Sequence, residues 1–275
     1  MLSYLIRLRR QHVRRMTGKT PPRRRAVPRT VWPTGVDLAY RAHLLRLLEV
    51  TRATVERRLF PRLRLLVDRH ARADALADDF SAVKVSLLEG PFASRELAAA
   101  IETIGRRTSD WQKAQLQHQL RAAVGVDVPI GEPQWAQRIE TFTEENVGLI
   151  RSIPEEYLAQ VQRTVLRGIA EGSRWEDLVD TIGERFGVAE SRAALIARDQ
   201  VGKFYSSLNA ARQQDLGLTH FFWRTAGDER VRPEHVALNG ERFSWNKLPA
   251  EGMPGTPINC RCNADPDVEA LLDEL

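Results

Sequence analysis

Between Val36 and Asp215 apolar residues recur at the three-and-four spacing of an α-helix, with few interruptions, and this pattern constrains the fold more than any other property of the chain. Leu45, Leu48, Val55 and Leu59 form one stripe of a helix read from Val36 to about Ala73, with Pro61 kinking or breaking it. A second helix is read from about Ala75 to Leu88. Gly90-Pro91 then punctuates, a long charged helix runs from about Ser94 to Val124, and Gly125 to Pro133 reads as a loop. Leu158, Val161, Val165 and Ile169 make the next stripe. Ser173 with Glu176 is a capping box, opening a helix that buries Trp175, Leu178, Val179, Ile182 and Phe186 and stops at Gly187. The helix after it, from about Ala189 to Asp215, spaces Ala194, Ala197, Val201, Phe204, Leu208 and Ala211 as a seam for another helix, and Gly217 ends it.

After Gly217 the pattern changes. Leu218 to Arg224 is short and aromatic and reads as a strand; Asn239-Gly240, a dipeptide suited to tight turns, precedes a second short strand around Arg242 to Trp245. Asn246 to Pro257 reads as loop. The expectation is a mainly α protein: a helical N-terminal region, then a small α+β C-terminal domain with short antiparallel strands. The segments expected are an arm and linker over 1–35, a helical region over 36–150 and a C-terminal domain over 151–275.

A chain of 275 residues, 43% hydrophobic and 28% charged, has the composition of an ordinary folded protein. No run approaches the roughly 20 apolar residues a membrane-spanning helix needs, and arginines interrupt Met1–Arg10 before a signal-peptide core can form. We therefore expect no membrane partner and a cytoplasmic site of synthesis. Charge is unevenly placed. Residues 1–30 carry Arg7, Arg9, Arg10, Arg14, Arg15, Lys19, Arg23, Arg24, Arg25 and Arg29 and no acid, so a total of +5 less the arm's +10 leaves the body at −5. Such an arm suits a polyanion or an acidic protein face; the plainer alternative is a solvated tail. Pro21, Pro22, Pro28 and Pro33 exclude a helix over 17–35.

Chemistry concentrates between Phe222 and Pro266. Cys260 and Cys262 are the only cysteines, and with one residue between them they are poorly placed to bond to each other. Two thiols and His235 supply three ligands for a soft metal, with Asp228 the nearest candidate fourth; tetrahedral zinc is the form expected. The alternative is a histidine bonded to a loop carbonyl beside two small buried cysteines. Asp228, Arg230, Arg232 and Asn259 also read as a polar cluster pinning an irregular loop. No activated nucleophile or phosphate-cradling glycine loop accompanies His235, so catalysis is not expected. Phe221, Phe222, Trp223, Phe243 and Trp245 read as a small core rather than a base-stacking platform. Arg198 and Asp199 read as surface salt-bridging residues.

The order Ala197-Arg198-Asp199-Gln200, Trp223-Arg224-Thr225, Asp228, Arg230-Val231-Arg232 with His235, Leu238-Asn239-Gly240, Pro254-Gly255 and Asn259-Cys260-Arg261-Cys262 resembles the phage Mu protein F-like head morphogenesis domain over roughly residues 155–266. The resemblance implies a minor head protein of a tailed bacteriophage or prophage. It would lie inside the capsid near the portal, assisting head assembly and DNA packaging or delivery. Portal or major capsid protein are the implied partners, with packaged DNA reached through the arm. The runner-up is a metal-dependent hydrolase or nuclease carried in the virion, which would endanger the packaged genome unless masked; a third reading is a simple DNA-binding module.

Overall fold

The computed structural model describes residues 2–17, 27–68, 76–125, 127–132 and 134–268. In chain order these form α1 (Leu2–Thr17), α2 (Thr34–Arg58), α3 (Phe60–Asp68), α4 (Leu76–Glu89), α5 (Ser94–Val124), α6 (Trp135–Glu171), α7 (Trp175–Asp215), β1 (His220–Arg224), α8 (Pro233–Ala237), β2 (Arg242–Ser244) and β3 (Asn263–Pro266). The protein is mainly α, with one small antiparallel sheet near the C-terminus. No helix among the described residues is long and apolar enough to cross a membrane.

Several boundaries differ from expectation. The first long helix breaks at Leu59, not at Pro61, which lies in the first turn of α3 where its missing N–H costs nothing. Gly187 does not stop a helix. α7 runs unbroken through Gly183 and Gly187, because the apolar stripe of Ile182, Phe186, Ala189, Ala193 and Ala197 stays buried across them. α6 likewise passes through Pro154 and across residue 150. Residues 2–17, read only as basic arm, form α1; it leaves Tyr4, Leu8 and Met16 exposed beside Arg7, Arg14 and Arg15. Lys19, Arg23, Arg24 and Arg25, with Pro21 and Pro22, lie outside the described residues, as do the side chains of Arg9 and Arg10.

The chain divides into two compact units, each discontinuous in sequence, and α5, α6 and α7 contribute to both. One takes residues 37–104 and 140–198. Its core includes Tyr40, Leu44, Leu48, Leu59, Leu63 and Phe92. Phe60 meets Trp175 edge-on at 5.1 Å. The Tyr40 hydroxyl donates to Asn146 Oδ1 at 2.7 Å, and Arg151 donates to the carbonyls of Leu88, in the last turn of α4, and Phe92, just beyond it.

The other unit takes residues 1–36, 105–139 and 199–275 and contains the sheet, ordered β2-β1-β3. β1 pairs antiparallel with both neighbours: Phe221 opposite Phe243 on one side, Trp223 opposite Ala264 on the other. Strand alternation sends Phe221 and Trp223 to the buried face, where they pack with Cys260, Cys262, Ala264, Leu238, Phe243 and Trp245. Four of the five aromatics expected there form this small core; Phe222, half-buried, alternates to the other face of β1. β3 was not anticipated. Its Ala264 carbonyl is bonded by the side-chain amides of Asn209 (2.8 Å) and Gln213 (2.9 Å) from α7, which satisfies an edge and leaves Pro266 harmless there.

Residues 27–33 have no regular structure but are fastened. Gln119 donates to the Pro28 carbonyl (2.9 Å), Trp111 donates to the Val31 carbonyl (3.0 Å), and Val31 N–H donates to Gln115 (3.2 Å). Thr30 donates to Asp265 at 3.0 Å and accepts from Asn263. The Trp32 ring lies over Gly202 so closely that any Cβ there would collide with it. The segment expected as a linker therefore ends in a strap across α5, α7 and β3.

Candidate metal centre

α8 has only five residues, and its single buried side chain is His235. Pro233 starts it, a position where proline's fixed φ suits the helix. The opposing wall is the segment before β3. There one intervening residue puts the Cys260 and Cys262 side chains on the same side of an extended chain. Asn259, at φ 57, turns the chain into that segment, and its N–H donates to Asp199 Oδ1 at 3.0 Å.

His235 Nδ1 lies 3.6 Å from the Cys260 sulfur and 3.5 Å from the Cys262 sulfur. All three residues are buried, and their ligand atoms lie within 4.8 Å of one another. Both cysteines are free thiols. Trp223 meets the His235 ring at 5.3 Å and 69°, fixing its orientation. His235 thus faces both sulfurs through Nδ1.

The thiols share a proton unequally. Cys260 is pushed down, to about 5, first by the hydrogen bond from the Cys262 thiol, then by N–H donors of Cys262 and Gly255 and the nearby His235, against the opposing effect of burial. Cys262 is pushed up by donating that bond, by burial and by the Cys260 thiolate. A sulfur pushed toward the thiolate beside an imidazole, with a second thiol nearby, is a donor set able to hold a metal ion.

Asp228 stands apart from the three. It is exposed and accepts from the Arg261 guanidinium at 2.7 Å and from Arg230 N–H at 3.3 Å. The Arg261 bond holds its carboxyl below the usual range. The aspartate anticipated as a fourth ligand is therefore engaged by a cation, and Arg261, which sequence reading passed over, is its partner. Arg232 donates to the Ile258 carbonyl at 2.7 Å. Arg198 and Asp199 do not pair together; Asp37 lies 3.7 Å from Arg198 and Lys203 2.6 Å from Asp199. A cavity of about 170 Å³ opens over the centre, walled by the two cysteines, His235 and the arginines 230, 232 and 261.

Gly255 shapes the site from behind. It is buried at φ +87, and an added Cβ would fall on Ser206 Oγ and within 3.1 Å of the Cys262 carbonyl. Gly255→Ala is expected to destabilise the protein by about 2–5 kcal/mol, combining left-handed strain with overpacking. Chemical denaturation checks this. Adding Ser206→Ala should recover the clash with the hydroxyl and leave the strain and the tight approach to the Cys262 carbonyl.

Residues 159–265, less than half of the chain, match the family model for Phage Mu protein F like protein. The matched segment contains every residue of the centre. An uncharacterized protein of Haemophilus influenzae (strain ATCC 51907 / DSM 11121 / KW20 / Rd) is 33% identical over 153 residues, covering 54% of this chain and 34% of that protein. The chain thus spans about a third of the length of that relative. No solved structure gives a significant match.

Proposed function

We propose that this is a non-catalytic minor head protein of a tailed bacteriophage or prophage, held inside the capsid near the portal and assisting head assembly and DNA packaging or delivery. The observation that carries this reading is the family match over residues 159–265, which supports a head morphogenesis role and virion association. The basic arm adds a means of holding packaged DNA. Ten cations without an acid, presented in part by the exposed arginines of α1, favour charge over base readout. Portal or major capsid protein is the partner proposed for the rest of the chain.

His235, Cys260 and Cys262 would hold zinc in this reading. Zinc–sulfur and zinc–nitrogen bonds of about 2.3 and 2.0–2.1 Å at tetrahedral angles separate the two ligand atoms by about 3.5 Å. The separations here are 3.6 and 3.5 Å. Bound there, the ion would supply a cross-link between α8 and the segment that leads into β3. Three protein ligands are also the number of a catalytic zinc site, which favours a hydrolase as second reading. Among the described residues no carboxylate lines the cavity to act as base, and Asp228 is paired with Arg261.

Mass spectrometry of purified particles and deletion of the gene test the role. The protein should be present in heads at low copy, and particles lacking it should fail in packaging or delivery. Absence from heads with normal particles would sink the proposal. For the arm, DNA affinity should fall about a thousandfold between 50 and 200 mM salt if about six phosphates are engaged. A chain starting at Val36 should lose that affinity; equal binding by both would refute the role given to the arm.

A further inference from the structure

The cavity over the Cys/His centre has a chemistry of its own, which the metal does not absorb. Its walls carry three guanidiniums, Arg230, Arg232 and Arg261, and no carboxylate. Among the described residues the acid paired to one of them is Asp228, on Arg261. Three positive charges less one leave a net +2 around the opening. With metal bound, two thiolates and a divalent cation would cancel and leave that excess intact; without metal, the lowered Cys260 thiol would reduce it toward +1, still positive. Two of the guanidiniums are close enough to the sulfurs for their charges to be felt there: Arg261 by both cysteines and Arg232 by Cys262. Arg232 is held in place by its bond to the Ile258 carbonyl, and Arg261 by Asp228, so two cations are already oriented.

We propose that this cavity is a binding subsite for a phosphate group, seated against Arg230, Arg232 and Arg261 above the Cys/His centre. It rests on reading that centre as a ligand-binding site. A volume of about 170 Å³ admits a tetrahedral oxyanion. Planar guanidinium forks match phosphate oxygens two at a time, and a net +2 complements a dianion better than a carboxylate. The group can come from free phosphate or from the terminal phosphate of a DNA strand.

Calorimetric titration of the full chain, zinc-loaded and metal-free, tests this with inorganic phosphate, a 5′-phosphorylated oligonucleotide and its 5′-hydroxyl counterpart. Saturable phosphate binding is expected, weakened about tenfold in Arg230→Gln and in Arg261→Gln. Asp228→Asn should tighten it severalfold, a gain that misfolding cannot produce. Preference for the 5′-phosphorylated strand over its counterpart would assign the source to a DNA end; binding of inorganic phosphate alone would assign it to the free ion. No saturable binding at millimolar phosphate, or binding indifferent to all three substitutions, would overturn the inference. Zinc content is read separately by elemental analysis. Zinc without phosphate binding overturns this subsite and leaves the metal reading standing, whereas phosphate binding without zinc supports the subsite and removes the metal.

Discussion

Cys260→Ser, Cys262→Ser and His235→Ala are each expected to reduce bound zinc from about one equivalent per chain to background, since a site with three protein donors cannot lose one and stay tight. With free zinc about a thousandfold above its dissociation constant, the metal adds about 4 kcal/mol. At about 2–4 °C per kcal/mol, the thermal transition of the unit containing the centre should fall by about 8–16 °C. Chelation of the unsubstituted protein should produce the same shift, and the chelated protein and the variants should then melt together. Loading must expel the proton that Cys262 holds tightly, so zinc affinity should fall as pH falls. Elemental analysis of reduced, folded protein that finds no stoichiometric metal would end the zinc reading while leaving the thiol pair and imidazole as described.

The second large effect concerns Arg212 on α7. Its side chain is 1% exposed and donates to Glu132 at 2.5 Å, to Gln112 at 2.5 Å and to the carbonyl and hydroxyl of Ser109 at 2.9 and 2.6 Å. Arg212→Ala is expected to cost about 3–5 kcal/mol, because it strands several buried acceptors and opens a void. Glu132→Gln should cost less, about 2 kcal/mol, since Glu132 is 38% exposed and water screens part of the pair. The pH dependence has a definite sign. Burial alone would raise the Glu132 carboxyl, but bonds from Arg212 and Lys113 lower it on balance. A carboxyl lowered in the folded state adds stability that is fully present above its ordinary value of 4.5 and lost as pH falls through the lowered one. The deficit of Glu132→Gln in urea denaturation should therefore be complete at neutral pH and shrink below about 4.5. A deficit unchanged down to pH 3, by contrast, would assign the cost to packing (about 1–3 kcal/mol) rather than charge.

The helices were legible because their signal is local. α5 falls where its apolar period begins and ends, and the stripe through Val201, Phe204 and Leu208 is buried as its spacing implies. Gly187 misled because a glycine that costs about 1 kcal/mol in isolation is outweighed by a buried face on both sides of it. β3 was invisible for the opposite reason. Asn263-Ala264-Asp265-Pro266 has no strand propensity, and it is a strand because β1 pairs with it and Asn209 and Gln213 close its other edge. The meeting of His235, Cys260 and Cys262 could be anticipated from chemistry, since two thiols and an imidazole make a soft-metal donor set, although one residue between cysteines is not a usual zinc spacing. Asp228 could not be placed the same way. Which of several nearby arginines claims a carboxylate depends on loop geometry, and Arg261 claimed it.

The strap over residues 27–33 also fixes how a mechanical load would travel. Tension applied through α1, by whatever α1 grips, enters the body at Val27 along the chain. It meets first the bonds of Pro28, Thr30 and Val31 to Gln119, Asp265, Gln115 and Trp111. Asp265 stands three residues beyond Cys262, on the strand that begins just after it, and Asn263 of that strand also holds Thr30. A pull on the arm would thus be resisted by the strand into which the thiol segment leads, and zinc, if held by the Cys/His centre, would rivet that segment to α8 behind it.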